Sequence, residues 1–141
     1  MSVMNARLFA DTNVWIYAHL QRANDPRCQR AAEMVKVLPL IISNQVINEY
    51  YSVMLKNKAS DAFIQVNIKN MLWHCDVFCL NLETLAAAFE IRERYRFSWW
   101  DSLIVASALE TECEQLYTED LQHGQIIEDR LRIVNPFLET M

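Results

Sequence analysis

The stretch Ala6-Arg7-Leu8-Phe9-Ala10-Asp11-Thr12-Asn13-Val14-Trp15-Ile16-Tyr17-Ala18-His19-Leu20 sets the reading of the whole chain. Its apolar run over 6–10 is short enough for a buried strand and stops at Asp11. Asn13 can cap the helix that follows over 14–20. The same strand-then-helix pattern recurs downstream. After a polar turn at 21–26, helical spacing resumes through Ala31, Ala32, Val35 and Val37 until Pro39 breaks it. Leu40-Ile41-Ile42 reads as a second buried strand, and Ser43 or Asn44 caps a helix carrying Val46, Ile47, Tyr50, Val53 and Met54. A helix over 61–73, a strand over 77–80 and a helix over 84–95 follow. The run after Ser98 (Leu103, Ile104, Ala106, Ala108, Leu109) is almost uniformly apolar, which predicts a helix deep inside. Segments 115–118 and 131–134 read as the last strands. Strands alternating with helices in this order predict an α/β fold: a mainly parallel sheet of about five strands, covered by helices on both faces.

The 141 residues, 1–141, suit one domain. At 52% hydrophobic and 22% charged, the composition is that of an ordinary globular chain, and one Gly with three Pro leaves little room for long flexible loops. No apolar stretch is long enough for a signal sequence or a membrane span, so the expected compartment is the cytoplasm. Cys28, Cys75, Cys79 and Cys113 form no CxxC pair and read as small apolar fillers in a reducing compartment.

Four carboxylates stand where a strand ends or a helix begins: Asp11, Glu49, Asp101 and Asp120. In a parallel sheet with helical crossovers those positions converge outside the carboxyl ends of the strands. Two like charges about 4 Å apart at an effective dielectric of about 20 repel by on the order of 4 kcal/mol. A cluster of such acids therefore calls for a hard divalent cation. Each acid also has a plainer reading. Asp11 and Asn13 serve equally well as helix caps. Glu49 lies beside the apolar Val46 and Val53 on its helix, although a Glu on a helix is most often a surface residue. Ser98-Trp99-Trp100-Asp101 has the form of a capping box, in which Asp101 would bond back to the helix start. Asp120 sits in a turn closed by the only glycine, Gly124, with Glu119 one step away as an alternative. Thr118 either ends a strand or orients the site.

The formal charge of −5 argues against a phosphate-rich partner at first sight. Metal bound among four of the 18 acids would bring the balance near neutral, so that a local basic strip suffices. Arg92, Arg94 and Arg96 could guide a phosphate backbone, or simply answer the helix dipole at a C-terminus. His123 could touch a substrate phosphate or stand in solvent. Trp99 and Trp100 could stack on a base or anchor a helix.

Taken in order, FADTNVWIYA at 9–18, SNQVINEYYSVM at 43–54, SWWDSLIVASALE at 98–110 and LYTEDLQHGQ at 116–125 resemble the PIN-domain ribonucleases, most closely the VapC-type toxins of bacterial toxin–antitoxin pairs. The resemblance runs from Leu8 to about Asn135. It implies an α/β/α sandwich, a Mg²⁺ or Mn²⁺ cofactor, and Asp11, Glu49, Asp101 and Asp120 as the acids that bind it. It further implies an RNA substrate, a small antitoxin partner and a homodimer. In that frame Asp11 and Asp101 hold the principal metal, and Glu49 orients water or shares the ion. Asp120 completes the shell or helps seat a second ion, with Asn13 and Thr118 in support and Arg94, Arg96 and His123 toward substrate. Water activated by metal would attack phosphorus and leave 5′-phosphate and 3′-hydroxyl ends.

Two rivals compete. A haloacid-dehalogenase-type phosphatase also gathers Asp at strand ends, but its D-x-D opening meets Asn13 here and no Lys follows Lys69. The other is a PIN-like or receiver-like module that binds a partner without catalysis.

Overall fold

A computed structural model describes residues 6–138. In chain order the elements are β1 (Leu8–Ala10), α1 (Thr12–Leu20), α2 (Pro26–Val37), β2 (Leu40–Ser43), α3 (Asn44–Lys56) and α4 (Asp61–His74). They continue with β3 (Asp76–Phe78), α5 (Leu82–Tyr95), α6 (Trp99–Glu110), β4 (Gln115–Tyr117), β5 (Ile126–Ile127) and β6 (Leu131–Val134). The helix starts carry side-chain caps. Asp11, Asp25, Ser43, Ser60, Asn81 and Ser98 each accept from a backbone N–H of the turn they open. Pro26 sits at the first position of α2, where its missing N–H costs nothing.

The strands form one six-stranded sheet in the order β3-β2-β1-β4-β6-β5. All neighbours pair in parallel except β5, which runs antiparallel to β6 at the edge. From β1 the chain steps outward to β2 and β3, then crosses back to place β4 on the other side of β1. Right-handed crossovers put the helices of the outward steps on one face and those of the return on the other. The packing follows: α1 lies against α2 and α3, α3 against α4, and α5 against α6. The result is the expected sandwich with a mainly parallel sheet.

The main core gathers Phe9, Val14, Ile42, Val46, Tyr50, Met54, Leu116 and Ile133, all fully buried. A second cluster, Ala88, Leu103 and Ala106, joins α5 to α6. Every residue of α6 from Ser102 to Leu109 is buried, as its uniform apolarity requires.

Two expectations need correction. The sheet has six strands rather than about five, because Ile126–Ile127 pairs with β6 through a turn at Glu128 (φ 52°) and Asp129 (φ 58°). A two-residue strand shows no periodicity, and a turn with two left-handed residues usually announces itself with Asn-Gly or Asp-Gly. Of the cysteines, Cys28 and Cys113 are buried fillers, whereas Cys79 is exposed. Among the described residues no helix is long and apolar enough to cross a membrane.

Candidate metal centre

The switch in strand order falls between β1 and β4, and the acids meet there. The two strands run in register, with Ala10 opposite Tyr117, so both end at one level. The Asp11 backbone N–H continues the ladder to the Tyr117 carbonyl at 2.9 Å. Asp11 then turns its carboxylate into the crevice. Its Oδ1 accepts from the Thr12 N–H at 2.7 Å and its Oδ2 from the Thr118 hydroxyl at 2.8 Å. Thr118 is fully buried and its Oγ1 accepts in turn from the Asp120 N–H (3.1 Å) and from Asn13 Nδ2 (3.3 Å). Asn13 Nδ2 also donates to Asp120 Oδ2 at 3.2 Å. One hydroxyl and one amide, from Thr118 and Asn13, thus fix two carboxylates relative to each other.

Two helix starts deliver the remaining acids. In α6 the Ser98 hydroxyl accepts from the Asp101 N–H at 3.1 Å. The return bond from the Ser98 N–H to the Asp101 carboxylate is not among the hydrogen bonds formed, so the box is half made; α5 has the complete version at Asn81 and Thr84. The Asp101 carboxylate is left to face the crevice. Oxygens of Asp11, Asp101 and Asp120 lie within 4.8 Å of one another. Glu49 stands beside this trio on α3, half-buried, with Oε1 accepting from the Thr12 hydroxyl at 3.0 Å.

Charge is unwelcome here. Burial pushes the Asp11 carboxyl up to about 7 against the Thr118 and Thr12 hydrogen bonds, and the charges of Asp120 and Glu49 push the same way. Burial also raises Glu49, Asp101 and Asp120, the last with a further push from Asp101. No Lys or Arg bonds to any member of the trio among the described residues.

A family model, the PIN domain, matches residues 8–128. The chain belongs to the PIN domain family. No curated protein matches the sequence. Solved structures share the fold at low identity. Mycobacterium tuberculosis VapC20, a sarcin–ricin loop cleaving toxin, is similar with a TM-score of 0.67 and 19% identity, over 80% of this chain and 89% of that one. A toxin–antitoxin complex from Klebsiella pneumoniae is similar with a TM-score of 0.67 and 21% identity, over 93% and 98%. VapBC2 from Rickettsia felis, bound to a DNA fragment from its promoter, is similar with a TM-score of 0.64 and 16% identity, over 91% and 98%.

The residues of this PIN domain suit a hard divalent cation. The donors are carboxylate oxygens within reach of one ion, and Asn13 Oδ1 is buried beside them without a hydrogen-bond partner. Of the two candidates for the fourth acid, Asp120 joins the trio. Glu119 turns away, accepting from the Tyr17 hydroxyl at 2.5 Å and from Arg27 Nη1 at 3.4 Å. The structure also regroups the acids: Asp120 rather than Glu49 stands with Asp11 and Asp101.

The expected substrate-side cations lie elsewhere. Arg94 pairs with Glu128, Arg96 caps the end of α5, and Arg92 donates to the Phe97 carbonyl at 2.7 Å. His123 Nδ1 accepts from the Asn135 N–H at 3.0 Å. None of these lines the cleft of about 420 Å³ over the acids. They sit at a helix C-terminus and in the following loops, where the Phe97 carbonyl occupies Arg92 and Glu128 occupies Arg94. The cleft takes its cations from Arg22 and Arg27, together with Tyr17, Asn57 and Trp100. The stretch 21–26 reads only as a polar turn in the sequence. The usable signal was length, since α1 begins at the acids and ends at Arg22's doorstep. Trp100 is 61% exposed at the cleft, whereas Trp99 packs on Phe89 with ring centroids 5.1 Å apart.

Proposed function

We propose that the protein is a metal-dependent endoribonuclease, the toxin of a toxin–antitoxin pair acting in the cytoplasm. The reading makes residues 1–141 one PIN domain. The observation that carries it is the trio of carboxylates within 4.8 Å at the strand-order switch, with no cationic side chain bonded to it among the described residues. Membership of the PIN family and similarity to a sarcin–ricin loop cleaving toxin support an RNA substrate. Similarity to toxins solved with their antitoxins supports a small protein partner. Exposed apolar side chains such as Trp73 (85%) and Leu82 (82%) support self-association into a homodimer.

Asp11, Asp101 and Asp120 would hold Mg²⁺ or Mn²⁺. When bound, such an ion supplies a Lewis acid for a phosphoryl oxygen and lowers the pKa of water. The chain's own residues do the rest. Thr118 and Asn13 hold Asp11 and Asp120 in place before substrate arrives, so little reorganisation remains at the reacting centre. Glu49 stands outside the trio, is fixed by Thr12, and has its proton affinity raised by burial. It is the group placed to take the proton of the attacking water. Buried Ile16 and Ile104 give the cleft an apolar wall beside the acids.

The products test the mechanism. Ligation-based mapping of cleaved RNA should find 5′-phosphate and 3′-hydroxyl ends. Cyclic 2′,3′-phosphate ends would mean that the ribose hydroxyl, and not water, attacks. A phosphoryl group trapped on Asp11 would instead revive the phosphatase reading.

A further inference from the structure

The cleft is a groove between α1 and α3 with unlike ends. At one end stand the acids. Between them and the other end the floor is apolar: Ile16 and Leu20 from α1 and Val53 from α3. The other end carries Arg22 and Asn57. Helix α1 sets the spacing, because its nine residues carry the chain about 14 Å from Asp11. Gln21 then closes it in the left-handed conformation (φ 50°) and Arg22 follows directly.

The two arginines of the groove differ in kind. Arg27 is committed: it forms three hydrogen bonds to the Asp25 carboxylate, reaches Glu119, and lies 4.4 Å over the Tyr17 ring. Two carboxylates balance its charge. Arg22 has no carboxylate within ion-pair distance among the described residues. The guanidinium's one hydrogen bond among the described residues runs from Nη2 to Asn57 Oδ1 at 2.8 Å. Asn57 is itself pinned, since its Nδ2 donates to the Val53 carbonyl at 2.9 Å. The neutral amide therefore orients the guanidinium without neutralising it. The charge of Asp25, already paired with Arg27, acts on Arg22 only from beyond ion-pair distance. An exposed, oriented guanidinium without an ion-pair partner is a seat for an anion, and its planar fork suits a phosphate.

We propose that Arg22, held by Asn57, binds a backbone phosphate of single-stranded RNA a short way along the strand from the one being cut, with an intervening base against Ile16, Leu20 and Val53. This rests on the ribonuclease reading above. A recessed apolar floor between two helices accepts an unpaired base, which duplex geometry withholds. Arg22 is then a positioning residue: it aligns the strand and does not touch the reacting atoms.

The test measures binding of a fluorescently labelled single-stranded oligoribonucleotide in Mg²⁺ from 50 to 200 mM KCl, using full-length Asp101→Asn protein so that the strand stays whole. Arg22→Ala in that background should weaken binding about tenfold at the lowest salt. It should also reduce the slope of log affinity against log salt by about 0.7, the share of one phosphate on a single strand. Arg22→Lys should keep the slope, and Arg94→Ala should change neither quantity. If the parent binds RNA and Arg22→Ala keeps its slope, the assignment is wrong and the groove is left to a protein segment. If the folded parent binds no RNA at all, the ribonuclease reading fails and this inference with it.

Discussion

The Asp11 carboxyl, buried at the end of β1 among other acids, ties the protein's stability to pH. Its folded-state carboxyl is raised from 3.8 to about 7, so the folded protein holds that proton more tightly than the unfolded chain does. Stability from this group is fully present below about pH 4 and is lost as pH rises toward 7. Above that it is level. The span corresponds to on the order of 4 kcal/mol. Glu49, Asp101 and Asp120 are shifted in the same direction and steepen the same slope. Urea unfolding in EDTA should therefore show the protein more stable at pH 5 than at pH 7. Asp11→Asn should flatten that dependence and raise stability at pH 7. A metal-free protein equally stable at both values would mean that Asp11 is a solvated cap. These candidate acids were legible because three stand at a strand end or helix start and Glu49 follows in the second turn of α3. The sequence could not rank them: Asp120 joins the trio only through Asn13 and Thr118, a bond pattern set by tertiary contact.

At the level of elements, most boundaries were legible because local signals agreed. Buried strands stopped at caps, and helices opened on Asp, Ser or Asn. Helix α6 was clearest, since an almost uniformly apolar helix has only the interior to occupy. Its small residues show how closely it packs. Ala106 and Ala88 are fully or almost fully buried where α6 meets α5. Ala106→Leu should cost about 1–3 kcal/mol by overpacking, read as a lower urea midpoint with unchanged slope. A neutral result would place slack in that interface. The elements that were not legible failed for physical reasons. β5 is too short to show a period. The arginines at 92 and 94 bond the Phe97 carbonyl and Glu128, and Arg96 caps α5 through its backbone, because α5 ends with its C-terminal turn away from the cleft. Arg22 could not be assigned from a turn-like stretch, because its meaning comes from Asn57, 35 residues on at the C-terminal cap of α3.

For the molecule as a whole, topology turns scattered acids into a site. The chain steps outward from β1 to β3 and then returns beside β1 at β4, which opens the crevice between the two strands. Helix starts on both faces then point into it: α1 and α3 from one layer, α6 from the other. The net charge of −5 looks unfavourable for RNA until the acids are counted as a metal site and the groove's far end as cationic. The most direct measurement of the central claim is incubation of the purified protein, alone, with total cellular RNA. Mg²⁺, Mn²⁺ and EDTA should be run side by side, with Asp101→Asn beside wild type. Discrete cutting that needs the metal and is lost by at least a hundredfold in the mutant is the expected result. Cutting that persists in EDTA or in folded Asp101→Asn protein would contradict it.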